Sequence, residues 1–428
     1  MKVRIITLGC KVNQFESQAM LKNLLEKGYS LAEENESAGI SIINSCAVTQ
    51  ASEQKAVKLI HRLRREDPDT VIVLTGCMAQ AFPESGEKLS EVDIVLGNKK
   101  RNALLPTIEE YFKTRQQLTR VEQYGSHDDY ESLDVDKFIY RTRAFLKIED
   151  GCNRFCSYCI IPYARGRVRS CSLQYIKDEI KAFEKNNCHE VVIIGINLSS
   201  YGSDNGLTFA DAIETACSST DMRIRLGSLE PESMDMDTLK RLSKYENFCP
   251  QFHLSLQSGC DATLKRMNRH YTSAEYSKIV SDIRSVFDNP AITTDVMVGF
   301  AGETEEEFIQ SLSFVENTGF SKVHIFPYSR RKGTVADKAP DQCSPAVKKE
   351  RAARMAKVAL TSRRSFLQSQ VGTVQSVLIE SKNKDGYYEG YTMNYTLVYI
   401  KTDSSINRVY SVKITGCTDD YCYGEILP

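Results

Sequence analysis

The run Ala144-Phe145-Leu146-Lys147-Ile148, followed closely by Asp150-Gly151-Cys152-Asn153-Arg154-Phe155-Cys156-Ser157-Tyr158-Cys159, decides how the rest of the chain is read. Its first part is a short apolar β run. Its second is a loop with three cysteines at C-x3-C-x2-C spacing. Three thiolates this close, on a loop without regular structure, can grip three irons of a 4Fe-4S cube and leave the fourth iron without a protein ligand. That open iron invites an outside ligand, and S-adenosylmethionine can chelate it through its amino and carboxylate groups. A reduced cluster then passes an electron to the sulfonium and releases a 5'-deoxyadenosyl radical. The alternative is a zinc knuckle, but structural zinc usually takes four ligands and pairs its cysteines as C-x2-C.

Downstream of this loop lie five further strand candidates, Glu190 to Ile196, Ile224 to Leu229, Gln251 to Leu256, Ile292 to Val298 and Lys322 to Phe326. Ahead of the first of them Leu173, Ile176, Ile180 and Phe183 recur at helical spacing, and the later segments Ala274 to Phe287 and Glu305 to Asn317 behave likewise. Six βα units predict a partial barrel with its working groups on the loops after the strands. Upstream, β-branched runs at Val3 to Leu8, Ile40 to Asn44 and Val71 to Thr75 alternate with helical runs at Phe15 to Lys27 and Ala51 to Arg65. This pattern predicts an open parallel α/β sheet. Its three strands end on Gly9-Cys10, Ser45-Cys46 and Gly76-Cys77. Such ends share one crevice in an open α/β sheet, so three cysteines far apart in sequence are expected to converge there. Taken singly, each also fits a buried small hydrophobe. The arrangement at equivalent strand ends suits a second cluster, again held by three thiolates.

The chain has 428 residues, 41% hydrophobic and 26% charged, which predicts several globular domains. Against 55 Lys and Arg stand 56 Asp and Glu, so any nucleic acid must be held by a local patch. No stretch approaches 18 apolar residues and the start lacks a signal-peptide core, so no membrane partner and a cytoplasmic location are expected. In that reducing compartment fourteen cysteines argue for metal ligation or redox chemistry rather than a disulfide framework. Between Ala346 and Arg364 the chain is strongly basic. From Val371 to Pro428 it alternates (Val374, Ser376, Leu378; Tyr395, Leu397, Tyr399; Tyr410, Val412, Ile414), which predicts a small β-barrel or meander.

The cysteine spacing, with aromatic Tyr158 before the third thiol, resembles the signature of the radical S-adenosylmethionine superfamily. Ordered matches along nearly the whole chain resemble one family within it, the methylthiotransferases, which install a methylthio group on a tRNA base or a ribosomal protein. They run through Leu8-Gly9-Cys10-Lys11-Val12-Asn13-Gln14, Asn44-Ser45-Cys46-Ala47-Val48-Thr49 and Thr75-Gly76-Cys77. They continue in Ile160-Ile161-Pro162-Tyr163-Ala164-Arg165-Gly166, Gly195-Ile196-Asn197, His253-Leu254-Ser255-Leu256-Gln257-Ser258-Gly259, Met267-Asn268-Arg269 and Phe326-Pro327-Tyr328-Ser329. Ala301 stands where the family often has Pro in a Gly-Phe-Pro-Gly turn. The Lys11-Val12-Asn13-Gln14 run resembles the branch acting on N6-threonylcarbamoyladenosine next to the anticodon, at tRNA position 37. The isopentenyladenosine branch reads Gln-Met-Asn there, and the branch acting on a ribosomal-protein aspartate reads Pro-Lys-Asn.

The resemblance implies an α/β protein in three parts. These are an N-terminal open parallel α/β sheet carrying an auxiliary cluster (1–115), a partial (β/α)6 radical core (138–368) after a linker (116–137), and a C-terminal small antiparallel β-barrel, the RNA-binding TRAM domain (371–428). It implies two 4Fe-4S clusters, one on Cys152, Cys156 and Cys159 and one on Cys10, Cys46 and Cys77, with no catalytic side chain beyond the ligands of the two clusters. Two S-adenosylmethionine molecules per turnover are expected, one as radical source and one as methyl donor. Their contacts are expected at Tyr158, Gly195, Asn197, Glu230, Ser255 and Gln257, mostly at strand ends, where small and polar residues are also common for other reasons. The implied partners are a tRNA reading ANN codons, a low-potential electron donor such as flavodoxin or ferredoxin, and a sulfur donor.

The last segment has five basic residues against seven acids, so it supplies no net attraction for phosphate. Its tyrosines, including Tyr387, Tyr388, Tyr391, Tyr395 and Tyr399, either stack on unpaired bases or are ordinary strand residues. Phosphate contacts are expected instead at Lys348, Lys349, Arg351 and Arg354, with Arg165, Arg167 and Arg169 second; a solvated helix face is the other reading of the first group. A non-catalytic iron-sulfur RNA-binding protein is the reading from another class.

Overall fold

The computed structural model describes the chain from Met1 to Pro428 apart from residues 34–35, 126–127, 134, 136–141 and 403–404. Part of the expected linker, including His127, and the start of the expected central part therefore lie outside the described residues. The chain divides into two compact units. The first comprises Met1–Val135, Glu149–Cys171 and Ser329–Asp337, and the second Asp136–Ile148, Ser172–Tyr328 and Lys338–Pro428.

The first unit is built on a six-stranded parallel sheet in the order Ser30–Leu31, Lys2–Thr7, Ile40–Ser45, Val71–Gly76, Ile94–Leu96, Leu118–Arg120. Its central strands are buried along their full length, as expected of parallel strands covered on both faces. The helix Gln50–Glu66 starts at Thr49, whose side chain accepts from the Ser52 N–H. It presents Ala56, Leu59, Ile60 and Leu63 inward, and the last three join Ile43, Ile72 and Leu74 in the core. Thr7 pairs with Asn44, Asn44 with Thr75, and Ser45 with Gly76. The three cysteine-bearing ends therefore stand level. The outer strands, two or three residues each, are too short to leave a period in the sequence.

In the second unit, Arg143–Lys147, Glu190–Ile194 and Arg223–Leu226 form one parallel sheet, and Ser228–Leu229, Gln251–Leu254, Ala291–Val298 and Lys322–Pro327 another. These are the six expected strands in order, with the third broken at Gly227, whose N–H bonds the Ile193 carbonyl at 2.7 Å. Each half of the broken strand pairs with a different neighbour, so one strand belongs to both sheets. Helices Leu173–Lys185, Phe209–Ser218, Met236–Leu242, Ser273–Val286 and Glu305–Thr318 fall between the strands.

The long helix Pro345–Gln370 leads into a closed barrel of Val374–Lys382, Tyr388–Thr392, Leu397–Ile400, Cys422–Ile426 and Arg408–Cys417. Its pairs are antiparallel except Leu397–Ile400 with Cys422–Ile426, which run parallel. Val377, Ile379, Val398, Ile400, Val412 and Ile414 fill it, with Leu367 from the helix as a plug. The expected phase holds for Val412 and Ile414 but is shifted by one on the first and third strands. Val377-Leu378-Ile379 is apolar without interruption, so it carries no period to read. Arg225 grips Glu190 at 2.6 and 3.0 Å and donates to the Met393 carbonyl at 2.9 Å, which ties the parallel strands to the small barrel. Arg143 and Arg225 cover Tyr395, which stacks on Tyr391 at 4.6 Å. These two tyrosines serve this seam. No helix among the described residues is long and apolar enough to cross a membrane.

Candidate functional site

Cys10, Cys46 and Cys77 each follow a strand of the first sheet directly or within three residues. Asn13, on the first turn of Lys11–Glu26, accepts from the Cys10 thiol at 3.4 Å and donates to the Ser45 carbonyl at 3.0 Å, binding two of the strand ends together. Gly76 (φ +93°) makes the third turn possible, since a Cβ there would lie 2.4 Å from the Ser45 carbonyl oxygen. Cys46 and Cys77 are buried and Cys10 is exposed. Burial pushes the Cys46 thiol up to about 11, and Cys77 and Cys10 are near enough to add to that shift. Among the described residues no three His, Cys, Asp or Glu side chains converge as ligands of one ion. A cube asks for something else: each thiolate takes its own iron, so the sulfurs stand further apart. A set of three soft thiols suits iron-sulfur chemistry.

The C-x3-C-x2-C loop lies in the same unit. It leaves the short pairing of Glu149–Asp150 with Arg169–Ser170 through Gly151 (φ +95°), where a Cβ would come within 1.9 Å of the Arg167 carbonyl oxygen. The Cys152 N–H bonds the Gly166 carbonyl at 3.0 Å, and Cys159 N–H bonds the Cys156 carbonyl at 2.9 Å. The backbone therefore presents Cys152, Cys156 and Cys159 on one tight loop, all half-buried, with Tyr158 half-buried among them. The donor chemistry and the glycine-dependent close packing of this loop fit a cluster held by three thiolates.

Arg165 connects the two sets. It is fully buried; its Nε donates to Cys77 Sγ at 3.3 Å and its Nη2 to Asn13 Oδ1 at 3.1 Å. It also bonds both oxygens of buried Glu16 and approaches Asp150, two residues before Cys152, at 3.4 Å. Arg101 also pairs with Glu16, at 2.7 Å. Burial opposes the Arg165 charge, but Cys77, Glu16 and Asp150 outweigh it and keep the guanidinium protonated. The expectation that Arg165 and Arg169 meet RNA is corrected by this placement, because no part of Arg165 reaches solvent and Arg169 is buried on the Arg165 and Arg167 carbonyls. Asn13, Glu16, Arg101 and Asp150 had no assigned part in the sequence reading; Asn13 and Asp150 adjoin the cysteine motifs, which was the available signal.

In the second unit, Gly195, Asn197, Glu230, Ser255 and Gln257 follow successive parallel strands. Asn197 is buried and bonds Ser200 Oγ at 2.7 Å. Glu230 forms a two-bond ion pair with Arg269, which also donates to the Ser255 carbonyl at 3.3 Å. Gln257 has φ +63°, and its backbone bonds Asp295 at 2.9 Å and Met297 at 2.8 Å. Arg269 is the member that sequence reasoning missed, although it lies in a matched motif.

Of the expected phosphate contacts, Arg351 is buried against Glu303 at 2.8 Å, a second correction. Lys348 donates to the Tyr328 carbonyl at 2.8 Å, and Arg354 pairs with Glu305 and Glu350. Lys349 and Arg167 remain exposed. A basic stretch on a packed helix thus turns most of its charge toward its own protein. On the small barrel Tyr399 stacks on Tyr421 at 4.0 Å, with Tyr387 and Tyr423 alongside.

Comparison with known proteins matches residues 2–97 to an uncharacterized protein family, UPF0004, residues 146–315 to the radical SAM superfamily and residues 368–427 to the TRAM domain. The chain is 34% identical to the threonylcarbamoyladenosine tRNA methylthiotransferase MtaB of Bacillus subtilis, over 98% of this chain and 95% of that one. It is 36% identical to the protein of that name from Thermotoga maritima, over 98% and 95%. It is also 34% identical to a tRNA-2-methylthio-N(6)-dimethylallyladenosine synthase of Clostridium botulinum, over 98% and 96%. Among solved structures, the radical S-adenosylmethionine methyltransferase TsrM from Kitasatospora setae shares the fold at a TM-score of 0.59 and 11% identity, covering 83% of this chain and 90% of that one. With the radical machinery, the TRAM domain and full-length relatives all in agreement, the chain belongs to the radical S-adenosylmethionine methylthiotransferases that modify tRNA.

Proposed function

We propose that the chain inserts a methylthio group at C2 of N6-threonylcarbamoyladenosine next to the anticodon of tRNAs reading ANN codons, working in the cytoplasm. The observation that carries this is the presence, in one unit, of two three-cysteine sets bridged by the buried Arg165. Relatives named for threonylcarbamoyladenosine and for dimethylallyladenosine are about equally identical, so total identity does not choose the substrate. The Lys11-Val12-Asn13-Gln14 run supports the first.

Cys152, Cys156 and Cys159 would hold one 4Fe-4S cluster, and Cys10, Cys46 and Cys77 the other. When bound, the clusters supply one-electron cleavage of S-adenosylmethionine and an iron site for the sulfur to be transferred. The C2 hydrogen of adenine is too weakly acidic for any side-chain base, which is why the reaction needs that chemistry. The protein's own residues bind, aim and exclude water. Tyr158, Gly195, Asn197, Glu230, Ser255 and Gln257 are the proposed S-adenosylmethionine contacts, with Arg269 holding Glu230 in place. Two S-adenosylmethionine molecules per turnover, a low-potential electron donor such as flavodoxin or ferredoxin, and a sulfur donor complete the reading.

The test is a pair of variants in anaerobically reconstituted enzyme. Cys10→Ala should still cleave S-adenosylmethionine but yield no methylthiolated tRNA, whereas Cys156→Ala should stop both. Normal product from Cys10→Ala would overturn the sulfur-carrier role, and no cleavage by the unaltered protein would favour the non-catalytic RNA-binding reading.

A further inference from the structure

The segment Ser329–Asp337 belongs to the cysteine-bearing unit, and it is anchored there twice. Ser329 Oγ accepts from the Gln50 N–H at 3.2 Å, and the Ala336 N–H donates at 2.7 Å to the carbonyl of Ser157, inside the C-x3-C-x2-C loop. Between these anchors it walls a cavity of about 410 Å³, a size suited to a small polar group or nucleoside. Phe82 forms another wall and packs against the cluster of residues that contains Cys77. The cavity therefore adjoins elements of both cysteine sets.

Three consecutive cations, Arg330, Arg331 and Lys332, line it. Arg331 is 3% exposed; its two terminal nitrogens hold Glu53, while its buried Nε has no hydrogen-bond partner among the described residues. Arg330 uses Nε and Nη2 on Asp337, at 3.0 and 2.7 Å, and has Nη1 left over. Lys332 is exposed and has no ion pair among the described residues. The carboxylates of Glu53 and Asp337 are already engaged, and Glu84 sits exposed at the edge. Three cations thus face three carboxylates, and Arg330 Nη1 and the Lys332 ammonium are the donors that Glu53 and Asp337 do not take up among the described residues. An apolar substituent would gain nothing from Arg330 Nη1 and the Lys332 ammonium, while an anionic group rich in oxygen acceptors would engage them.

We infer that this cavity receives the threonylcarbamoyl substituent of the substrate adenosine, with Arg330 and Lys332 meeting its carboxylate; this rests on the substrate reading above. The group brings a carboxylate, a urea carbonyl and a hydroxyl, whereas the isopentenyl group brings none of them. The cavity would therefore be the feature that selects between the two adenosines.

The experiment compares anticodon stem-loop RNAs carrying threonylcarbamoyladenosine, its carboxylate methyl ester, or isopentenyladenosine, on the unaltered enzyme and on Lys332→Ala and Arg330→Ala/Lys332→Ala. The readouts are kcat/KM and, by fluorescence anisotropy, Kd. The unaltered enzyme is expected to favour the free carboxylate over the ester by about 10- to 100-fold, the range for hydrogen bonds to a charged group. The double variant is expected to bring that ratio close to one by losing ground on the carboxylate alone. An unchanged ratio in the variant, or an equal loss on both RNAs, overturns the cavity assignment and leaves the substrate reading standing. So does an unaltered enzyme that treats acid and ester alike. Modification of the isopentenyl RNA only would overturn the substrate reading itself.

Discussion

Arg165 Nε lies 3.3 Å from Cys77 Sγ across a separation of 88 residues, and the same guanidinium reaches Glu16 and Asp150. One buried side chain thereby ties the sheet that carries Cys10, Cys46 and Cys77 to the segment that carries Cys152, Cys156 and Cys159. Removing one member of a buried ion pair leaves the others uncompensated and typically costs about 3–5 kcal/mol. Arg165→Met should destabilise the cofactor-free first unit by about that amount in urea unfolding, and Arg165→Lys by less. A loss below about 1 kcal/mol for Arg165→Met, the range of surface pairs, would mean the network does not brace the site.

Gly151→Ala should damage the C-x3-C-x2-C loop selectively, because the new Cβ would come within 1.9 Å of the Arg167 backbone oxygen at a φ of +95°. Iron per chain after reconstitution should fall by about half, the share of one 4Fe-4S cluster out of two. Full iron content would show that the loop can re-form around a side chain.

Much of this arrangement could be read from the residues. The three central strands of the first sheet showed as β-branched runs, and their cysteines marked equivalent ends. The partners of those cysteines did not show, since Arg165, Glu16 and Arg101 are distant in sequence and a lone charge in a motif looks the same whether it faces solvent or the core. The same ambiguity misassigned Arg351, whose helix is basic around its surface yet packs Arg351 against Glu303. Gly227 hid the break in the third strand of the second unit because a single glycine does not interrupt an apolar run.

The exposed cations define where tRNA phosphates are expected to be felt. Lys349→Ala and Arg167→Ala should each weaken tRNA binding and reduce the slope of log affinity against log salt by about 1. Arg354→Ala, already paired to Glu305 and Glu350, should change the slope less. Equal slopes in all three variants and the unaltered protein would remove these residues from the interface.

Glu190 gives a pH dependence with a definite sign. Burial alone would raise its carboxyl, but Arg225, helped by Arg143 and Arg223, holds it below the ordinary value of 4.5. A depressed carboxyl stabilises the folded state fully above the unfolded value, and that contribution is lost as pH falls through the lower folded value. The second unit should therefore keep this contribution at neutral pH and lose it progressively below about pH 4.5. Glu190→Gln should be less stable at pH 7 by about 3–5 kcal/mol and less acid-sensitive. Parallel acid profiles for variant and unaltered protein would exclude Glu190 as the source.

The central claim, methylthio transfer to threonylcarbamoyladenosine, is tested most directly by mass spectrometry of tRNA nucleosides from source cells with and without this chain. The expected result is loss of 2-methylthio-N6-threonylcarbamoyladenosine with accumulation of its unthiolated precursor. Loss of the isopentenyl counterpart instead, or no change in either nucleoside, would contradict it.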